Sequence, residues 1–516
     1  ILVASLIIPG NITQPEPVDA VHEVLEWVIV DTPDNFPLFV KEVFNPTHMG
    51  SEIIKFVFGS DGATMFAILR RGDQPAPRAG AQIVFRRSTN AGRSWSGTPY
   101  GNLVSRQAPG VTRGSLSWDM AISPDDPNVV LVAVSNIGVD AQTQEVWITV
   151  DKGSFWENTQ WPPVGGANPV LTGTVNAGAI DWISAMDISM DYGNRKIMVM
   201  TRDGTGLNTN NIQIMEIPGF GGWTIQDTLE APPSINNVTG DVLAGKFSPT
   251  FIGDSTVVVL YTDGTPAHRG TYLATGSHDI SNDTTTWETQ GQHIEIRNQD
   301  SAPTDSPWID EIITADLDLP SDFSGQSASL RRFYVSTDAI NGDDAMRGVT
   351  ATVKPDRGVY RIDDTTVYTL MDNTTTFGTI ASTITTRRAH SIAYWGTYGK
   401  LLVGETLGHA CEAAVPVWFT DSPTVCPIPC WYPAKKPPSG AAGQLECNEA
   451  TLGYGNAWVE WSPTFADQGV AYASTGSMNY GPFADPIYVA GPPDSFTVPA
   501  EDPDTGGAWP GGIFNI

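Results

Sequence analysis

The feature that most constrains this chain is an internal repeat. A strand–turn–strand pattern recurs along it, and Ser60, Ser123, Ser189 and Ser248, at the turns of four copies, are 63, 66 and 59 residues apart. A unit of this length cannot bury its apolar faces alone, so such repeats indicate units that stack on one another. Seven copies are visible, the fifth of them degenerate, and they begin at Ile54, Asp119, Met186, Gly245, Ile312, His390 and Val459.

Apolar runs follow several copies and give the fold class. Val129–Val134, Ile197–Met200 and Thr256–Tyr261 are short and rich in β-branched residues, which is typical of strands buried on both faces. The chain also has 51 glycines and 39 prolines, which favour turns and strands over helices. The sequence therefore predicts an all-β fold.

Tryptophans form a second marker with the same period. Trp27, Trp95, Trp156, Trp223 and Trp287 are 68, 61, 67 and 64 residues apart. Two of them end a loop with the pattern S/T-x-D/N-x-G-x-x-W. In such a loop the Asp or Asn side chain accepts hydrogen bonds from loop amides, the glycine adopts a positive φ, and the tryptophan fills the space between sheets. The two sets are Ser88, Asn90, Gly92 and Trp95, and Thr149, Asp151, Gly153 and Trp156.

With these motifs the chain resembles the Asp-box, or bacterial neuraminidase repeat, β-propellers, a group that includes sialidases, sortilin-type receptor heads and xyloglucanases. The resemblance implies a single seven-bladed β-propeller of four-stranded blades over residues 20–490. Val21–Val30 would add a strand to the last blade and close the ring. Residues 1–19 would form an N-terminal apolar strand and proline-rich spacer, and residues 491–516 a Pro/Gly-rich C-terminal extension.

The chemistry of that group is not evident in the sequence. Sialidases of this fold carry a [FY]-R-[IL]-P motif, and the string most like it, Tyr360–Asp363, lacks the proline, so Arg361 is not expected to be catalytic. Xyloglucanases use two propellers, whereas this chain has residues for one. The G-x-S-x-G, H-E-x-x-H and G-x₄-G-K-[ST] motifs are also missing. The sequence therefore predicts no catalytic residue and a protein that is not an enzyme.

All four cysteines lie in one window: Cys411, Cys426, Cys430 and Cys447. Their spacing is not that of paired zinc ligands, so two disulfides in an oxidising compartment are predicted, with a metal site as the alternative. Four cysteines allow three pairings, which stay open. Residues 408–453 are accordingly predicted to be a disulfide-stapled insert on one face of the ring.

The formal net charge of −29 excludes one class of partner. Such an acidic surface repels phosphate backbones and anionic lipids, so nucleic acid is excluded as a partner. No apolar run reaches the ~20 residues that a membrane span requires. The cysteines and four glycosylation sequons together indicate an extracellular or cell-surface glycoprotein. The sequons lie at Asn11, Asn237, Asn282 and Asn373.

Two acidic turns resemble calcium-binding loops, Ser123–Asn128 and Asn341–Asp344. Turns stabilised by their own Asx hydrogen bonds are the preferred interpretation, and bound calcium is the alternative. The seven histidines are scattered, so the sequence predicts no required cofactor and leaves the metal content undetermined.

Two functions remain. The first is a non-catalytic subunit of an extracellular filament, sheath or surface layer, whose partners are copies of itself or other cell-surface proteins. The second is a carbohydrate-binding or glycoside-hydrolysing propeller of the sialidase or xyloglucanase type, with glycans as partners. The first rests on the apolar end Gly512–Ile516 and on a predicted intermolecular strand, for which the alternatives are a signal-peptide remnant or a strand tucked against its own last blade. Its apolar residues are Ile1, Leu2, Val3, Leu6, Ile7 and Ile8.

The donated strand makes a direct prediction. Deleting Ile1–Gly10 should leave a folded, soluble monomer, because the strand would pair only with a neighbouring subunit. Light scattering and electron microscopy of the full and truncated chains would measure assembly. Assembly that survives the deletion, or loss of folding, would refute strand donation.

Overall fold

The computed structural model describes the residues in a set of separate ranges, and every structural statement below refers to these. They are 28–29, 52–71, 82–106, 116–136, 143–160, 181–203, 212–217, 222–226, 242–263, 270–287, 294–298, 312–339, 358–371, 389–396, 399–405, 417–424, 431–433, 454–464, 470–476 and 512–515.

Within these ranges the regular secondary structure is mostly β-strand. The first elements are β1 (Val28–Ile29), β2 (Glu52–Phe58), β3 (Met65–Arg71), β4 (Gln82–Ser88), helix α1 (Thr98–Arg106), β5 (Leu116–Ile122), β6 (Val130–Asn136), β7 (Thr143–Thr149) and β8 (Glu157–Asn158). Next come β9 (Asp181–Ile188), β10 (Arg195–Asp203), β11 (Ile212–Ile217), β12 (Thr224–Ile225), β13 (Val242–Phe247), helix α2 (Phe251–Asp254), β14 (Thr256–Asp263), β15 (Gly270–Asp279), β16 (Thr284–Trp287) and β17 (Ile294–Asn298). The last are β18 (Ile312–Asp318), β19 (Arg332–Ala339), β20 (Gly358–Asp363), β21 (Thr366–Met371), β22 (Ala389–Trp395), β23 (Lys400–Glu405), β24 (Val417–Thr420), β25 (Tyr432–Pro433), β26 (Tyr454–Trp461), β27 (Ala471–Gly476) and β28 (Gly512–Asn515).

These strands form several small antiparallel sheets. Four sheets have four strands each, and they are β5–β8, β9–β12, β18–β21 and β22–β25. A fifth consists of β13–β16, with β17 paired to β15. The remaining strands make a seven-stranded sheet, in which the single residue pair Glu52–Gly476 joins β2 to β27. The prediction of an all-β fold is confirmed.

Seven strands surround the axis of the molecule: the first strand of each four- or five-stranded sheet, and both β2 and β26 of the seven-stranded sheet. Each contacts the next of the seven along the chain, and β26 contacts β2, so the series closes on itself. These axial strands are β2, β5, β9, β13, β18, β22 and β26. All seven repeat copies of the sequence begin within them.

Apolar layers hold neighbouring sheets together, and they explain the uninterrupted apolar runs. On β6, Val130, Val132 and Val134 pack toward the sheet that contains β3 and β4. The intervening Leu131 and Ala133 pack toward the sheet of β9 and β10. Because side chains alternate along a strand, both faces of β6 are buried and neither tolerates polar residues.

The repeated serine has a structural role in the turn after each axial strand. The amides of Ser123, Ser189 and Ser248 donate to the carbonyls of Val129, Lys196 and Thr256, at 2.9 Å in each case. The repeat pattern predicts Ser60 as the corresponding residue after β2. In the structure the bond of that turn is made by the Gly59 amide, which donates to the Thr64 carbonyl at 2.8 Å. A Cβ on Gly59 would lie 2.5 Å from the Pro127 Cβ, so a serine does not fit.

Both ends of the described chain complete one sheet. β28 pairs with β27, and β1 pairs with β28, so the N-terminal strand is the outermost one. The prediction of a C-terminal extension over residues 491–516 is therefore wrong for residues 512–515, which form a strand of this sheet. The prediction of an insert over residues 408–453 is likewise wrong in part, because β24 and β25 lie within it and belong to a sheet.

At the periphery, tryptophans link each sheet to the preceding one. The indole Nε1 atoms of Trp156, Trp223 and Trp431 donate to the carbonyls of Pro99, Thr159 and Leu370, each at 3.0 Å. Trp156 is fully buried, with its ring 5.4 Å from that of Phe85 in an edge-on arrangement. These residues are spaced like the repeat because each occupies the same place between two sheets.

Trp156 should therefore contribute strongly to stability. Trp156→Ala should lower the free energy of unfolding by about 3–5 kcal/mol through loss of apolar contacts and creation of a cavity. Trp95→Ala is the matched control, since Trp95 is only half-buried, and it should cost less. Urea denaturation of both variants would measure this, and equal losses would contradict the proposed packing role.

Candidate functional site

Charged side chains of the axial strands converge at the centre of the ring. We call them the axial cluster, and its members are Lys55 on β2, Asp119 on β5, Asp187 on β9, Lys246 on β13, Asp316 and Asp318 on β18, and Glu460 on β26. Lys246 interacts electrostatically with four of the five carboxyl groups as a near neighbour, namely those of Asp187, Asp316, Asp318 and Glu460, and more weakly with Asp119. Except for Asp119, which is buried, these side chains are half-buried, since they lie deep in the molecule but face its axis.

The cluster has two layers along the axis, set by distance from the turn. Lys55 and Asp119 lie four residues before the turn residues Gly59 and Ser123. The offset is two residues for Lys246, Asp187 and Glu460, which precede the turn residues Ser248, Ser189 and Ser462. Because strand side chains alternate, both offsets face the same side. This site was not predicted from the sequence. The signal that could have indicated it is a charged residue two or four positions before a repeated turn.

Three of the carboxylates join adjacent axial strands. Asp187 Oδ2 accepts a hydrogen bond from the Phe247 amide at 2.7 Å. In the same way Asp316 Oδ2 accepts from the Ile392 amide at 3.0 Å, and Asp318 Oδ2 from the Tyr394 amide at 2.7 Å. These carboxylates satisfy main-chain donors that no strand of their own sheet reaches.

Asp119 is bound differently. Its Oδ1 lies 2.5 Å from the Lys55 ammonium, while its Oδ2 is buried and has no hydrogen-bond partner among the described residues. Asp119 is 5% exposed, and burial raises the pKa of its carboxyl group while Lys55 opposes the rise. An unpaired buried carboxylate oxygen is costly, and a ligand that donates a hydrogen bond would remove the cost.

Glu460 has a pKa well above its usual value. Burial raises the pKa of Glu460 to about 8, with Asp318 and Asp316 adding to the rise and Lys246 opposing it. Its Oε1 accepts a hydrogen bond from Trp458 Nε1 at 3.2 Å. Glu460 is therefore protonated at neutral pH, and it can donate that proton.

Two neighbours complete the surroundings of the cluster. Trp458 also contacts Lys55, whose ammonium lies 4.9 Å from the centre of the indole ring. Burial raises the pKa of Asp318 to about 6, against the effect of Lys246. Burial lowers the pKa of Lys246, but Asp187 and the other carboxylates outweigh it and hold that pKa above its usual value. The cluster thus combines a protonated carboxyl group, Glu460, with an ion-paired one, Asp119.

The loops singled out in the sequence are compact turns. Ser88 Oγ accepts from the Gly92 amide, and Asn90 Oδ1 from the Ser94 amide, both at 2.9 Å. The second loop has the same bonds, since Thr149 Oγ1 accepts from Gly153 and Asp151 Oδ1 from Phe155, again at 2.9 Å. Gly92 and Gly153 have φ values of 82° and 84°, in the left-handed region that favours glycine. Neither loop contributes a side chain to the axial cluster.

Arg361 lies on β20, away from the axial strands. It is 3% exposed, its guanidinium donates to the Pro423 carbonyl at 2.8 Å, and it lies 4.4 Å from the centre of the Tyr368 ring. These contacts are structural, and Arg361 is not a member of the axial cluster.

The acidic turn at Ser123–Asn128 is bound to the neighbouring sheet. Arg195 lies 3.2 Å from Asp125 and 3.9 Å from Asp126. Although burial acts to raise it, hydrogen bonds from Ser123 and the Asp191 amide, together with Arg195, lower the pKa of Asp125. Over the described ranges, no three His, Cys, Asp or Glu side chains are grouped as metal ligands. The second acidic turn, Asn341–Asp344, lies outside those ranges.

Several other predicted residues also fall outside the described ranges. These are the four cysteines, Ile1–Ile8, and the sequons at Asn11, Asn237 and Asn373. The remaining sequon residue, Asn282, is exposed on a turn and donates to Asp279 Oδ2 at 2.6 Å. Neither described helix has the length and apolar character needed to cross a membrane.

No protein-family profile and no curated protein matches the sequence. Similar solved structures include a GH74 enzyme of Niastella koreensis, with 11% identity over 83% of this chain and 52% of that one and a TM-score of 0.44. A Trypanosoma rangeli sialidase has 10% identity, coverages of 74% and 57%, and a TM-score of 0.40. A GH93 α-L-arabinofuranosidase of Fusarium graminearum has 12% identity, coverages of 88% and 92%, and a TM-score of 0.34.

These neighbours have β-propeller-type folds. The chain spans about half the length of the GH74 enzyme that it matches. At identities this low a shared activity does not follow from a shared fold.

The environment of Glu460 predicts a pH-dependent stability. Its folded-state pKa lies above the ordinary value of 4.5, so its contribution to stability is present below pH 4.5 and is lost as the pH rises through about 8. Glu460→Gln cannot ionise, so at pH 9 the variant should be about 1–3 kcal/mol more stable than wild type, and near pH 4 the two should be similar.

Asp61→Asn is the control of opposite sign. Although partial burial acts to raise it, hydrogen bonds from Thr64, Ala63 and Lys152 lower the pKa of Asp61 to about 2. Its contribution is present above its ordinary pKa of 3.8 and is lost as the pH falls through about 2, so the variant should be less stable than wild type at pH 7. Thermal melting from pH 3 to pH 9 would measure both. The absence of any gain for Glu460→Gln at high pH would contradict the raised pKa.

Proposed function

We propose that the chain is a single seven-bladed β-propeller of four-stranded blades, closed by its N-terminal strand. The closed series of axial strands supports this arrangement. The seven-stranded sheet is consistent with two blades, since only Glu52–Gly476 joins its halves. In the half formed by β2–β4, an isolated bridge between Arg87 and Ser96 occupies the place of a fourth strand.

We further propose that this propeller binds and hydrolyses a glycoside at the axial cluster. The observation that carries the proposal is a protonated carboxyl group, Glu460, in the same cluster as a carboxylate paired with an ammonium, Asp119 with Lys55. Glycoside hydrolysis needs one carboxyl group as an acid and a second as a nucleophile or base. Carboxyl groups with shifted pKa values are a feature of such sites.

The roles follow from the contacts. Glu460 donates its proton to the glycosidic oxygen as the bond from that oxygen to the anomeric carbon breaks. Asp119, which is ion-paired with Lys55, acts on the opposite face of the sugar, either directly on the anomeric carbon or by taking a proton from the attacking water. Trp458, beside Glu460, offers an apolar ring surface to the sugar.

This proposal takes up the carbohydrate alternative of the sequence analysis rather than the non-catalytic subunit. Three carboxylates of the cluster have a structural role, because they join adjacent axial strands: Asp187, Asp316 and Asp318. The unpaired oxygen of Asp119 and the protonated Glu460 are not needed for that role. Extracellular location, glycosylation and assembly through Ile1–Ile8 stay predictions, and they are compatible with an axial site.

A panel of chromogenic glycosides and soluble polysaccharides tests the activity. Wild type should release product from at least one neutral substrate, and Glu460→Gln should reduce kcat about 100-fold or more, the usual contribution of a general acid. Asp61→Asn, which removes a carboxylate in the turn after β2 that is not a member of the axial cluster, should keep wild-type kcat. Lack of turnover across the panel, or equal turnover in wild type and Glu460→Gln, would overturn the proposed hydrolysis.

A further inference from the structure

We infer that the glycan taken by the axial cluster is uncharged, so that the site discriminates against sugars carrying a carboxylate, such as sialic and uronic acids. This inference rests on the proposed function and adds the substrate class to it. It follows from the charges and hydrogen-bonding capacity of the cluster.

The first step is the balance of charges. Five carboxyl groups and two ammonium groups of the described chain meet at the axis, the two being Lys55 and Lys246. With Glu460 protonated, four further carboxyl groups remain beside the two ammonium groups. An anionic ligand entering this site would be repelled, and the repulsion is stronger here than at an exposed surface because the surroundings are poorly solvated.

The second step concerns the two ammonium groups. Lys55 is paired with Asp119 at 2.5 Å. Lys246 lies among Asp187, Asp316, Asp318 and Glu460. Binding a ligand carboxylate would require Lys55 to break its ion pair with Asp119, which leaves that carboxyl group buried and uncompensated, or would draw Lys246 away from the carboxyl groups around it. Arg361, the arginine of the sialidase-like string, lies on β20 and is engaged with the Pro423 carbonyl.

The third step concerns Asp119 Oδ2, the unpartnered acceptor. It requires a hydrogen-bond donor, and a sugar hydroxyl is one. Lys55 on the other oxygen can in turn donate to a second hydroxyl, since an ammonium has three donors. At neutral pH a ligand carboxylate can accept hydrogen bonds but cannot donate them. Placed beside Asp119, it would leave Oδ2 unsatisfied and add a charge of the same sign.

Matched glycosides that differ only at one carbon provide the experiment. 4-Nitrophenyl glucoside and glucuronide, and the corresponding galactoside and galacturonide, should be compared on the full chain, with a sialoside as a third anionic probe. Neutral members should exceed their acidic partners in kcat/KM by about tenfold or more, which corresponds to about 1.4 kcal/mol. Calorimetric titration with neutral and uronic oligosaccharides gives the same comparison for binding.

Asp119→Asn tests the cause. It releases the Lys55 ammonium and removes one negative charge, so binding of the uronic oligosaccharide relative to the neutral one should rise about tenfold or more, whatever happens to kcat. Asp61→Asn should leave that ratio unchanged. Because the wild-type comparison needs no variant, poor folding of Asp119→Asn would not remove the test.

The outcomes separate the two proposals. Preference for the acidic members in wild type overturns the inference while the proposed function stands. Failure of every glycan to bind and to react overturns both. A neutral preference that Asp119→Asn does not alter would refute the assignment to the axial charges.

Discussion

Apart from the single pair Glu52–Gly476, each axial strand has, over the described residues, one edge that no other strand of its own sheet covers, and the amides on that edge need acceptors. Asp187, Asp316 and Asp318 supply them by reaching to the next axial strand. Ser391 does the same, since its Oγ accepts from the Val459 amide at 3.1 Å and donates to the Ala457 carbonyl at 2.8 Å. Unpaired buried amides are costly, so these side chains are a condition of closing the ring. Closure therefore concentrates acidic groups at the axis before any ligand is considered.

That concentration has an electrostatic consequence. Burial raises the pKa of Glu460, and its neighbours Asp318 and Asp316, whose carboxylates are fixed by main-chain amides, raise it further. Lys246 limits the effect by lying among them. A group that is protonated at neutral pH thus arises from the requirements of the scaffold, and the cluster was available for acid catalysis without further adaptation. The same scaffold explains why the site prefers ligands without negative charge.

The repeats in the sequence predicted the all-β class and the positions of the axial strands, because turn serines and apolar runs are local signals. The shift from Ser60 to Gly59 could not be predicted, since it depends on contact with Pro127, far along the chain. The incorporation of β24 and β28 into sheets was also missed, because proline- and glycine-rich flanks masked short strands. The axial cluster escaped notice because its members come from six separate repeats, and each looks like an isolated charge in an apolar strand.

Two sets of polar contacts, at different radii, determine how the sheets sit relative to one another. Near the axis carboxylates reach forward to the next sheet, and at the periphery Trp156, Trp223 and Trp431 reach back to the preceding one. The apolar layers between them are close-packed and permit little sliding. The side chains of the axial cluster are consequently held by strands on both sides rather than by loops. A site on such rigid elements holds its groups in fixed positions, which transfer of a proton to a bound glycoside requires.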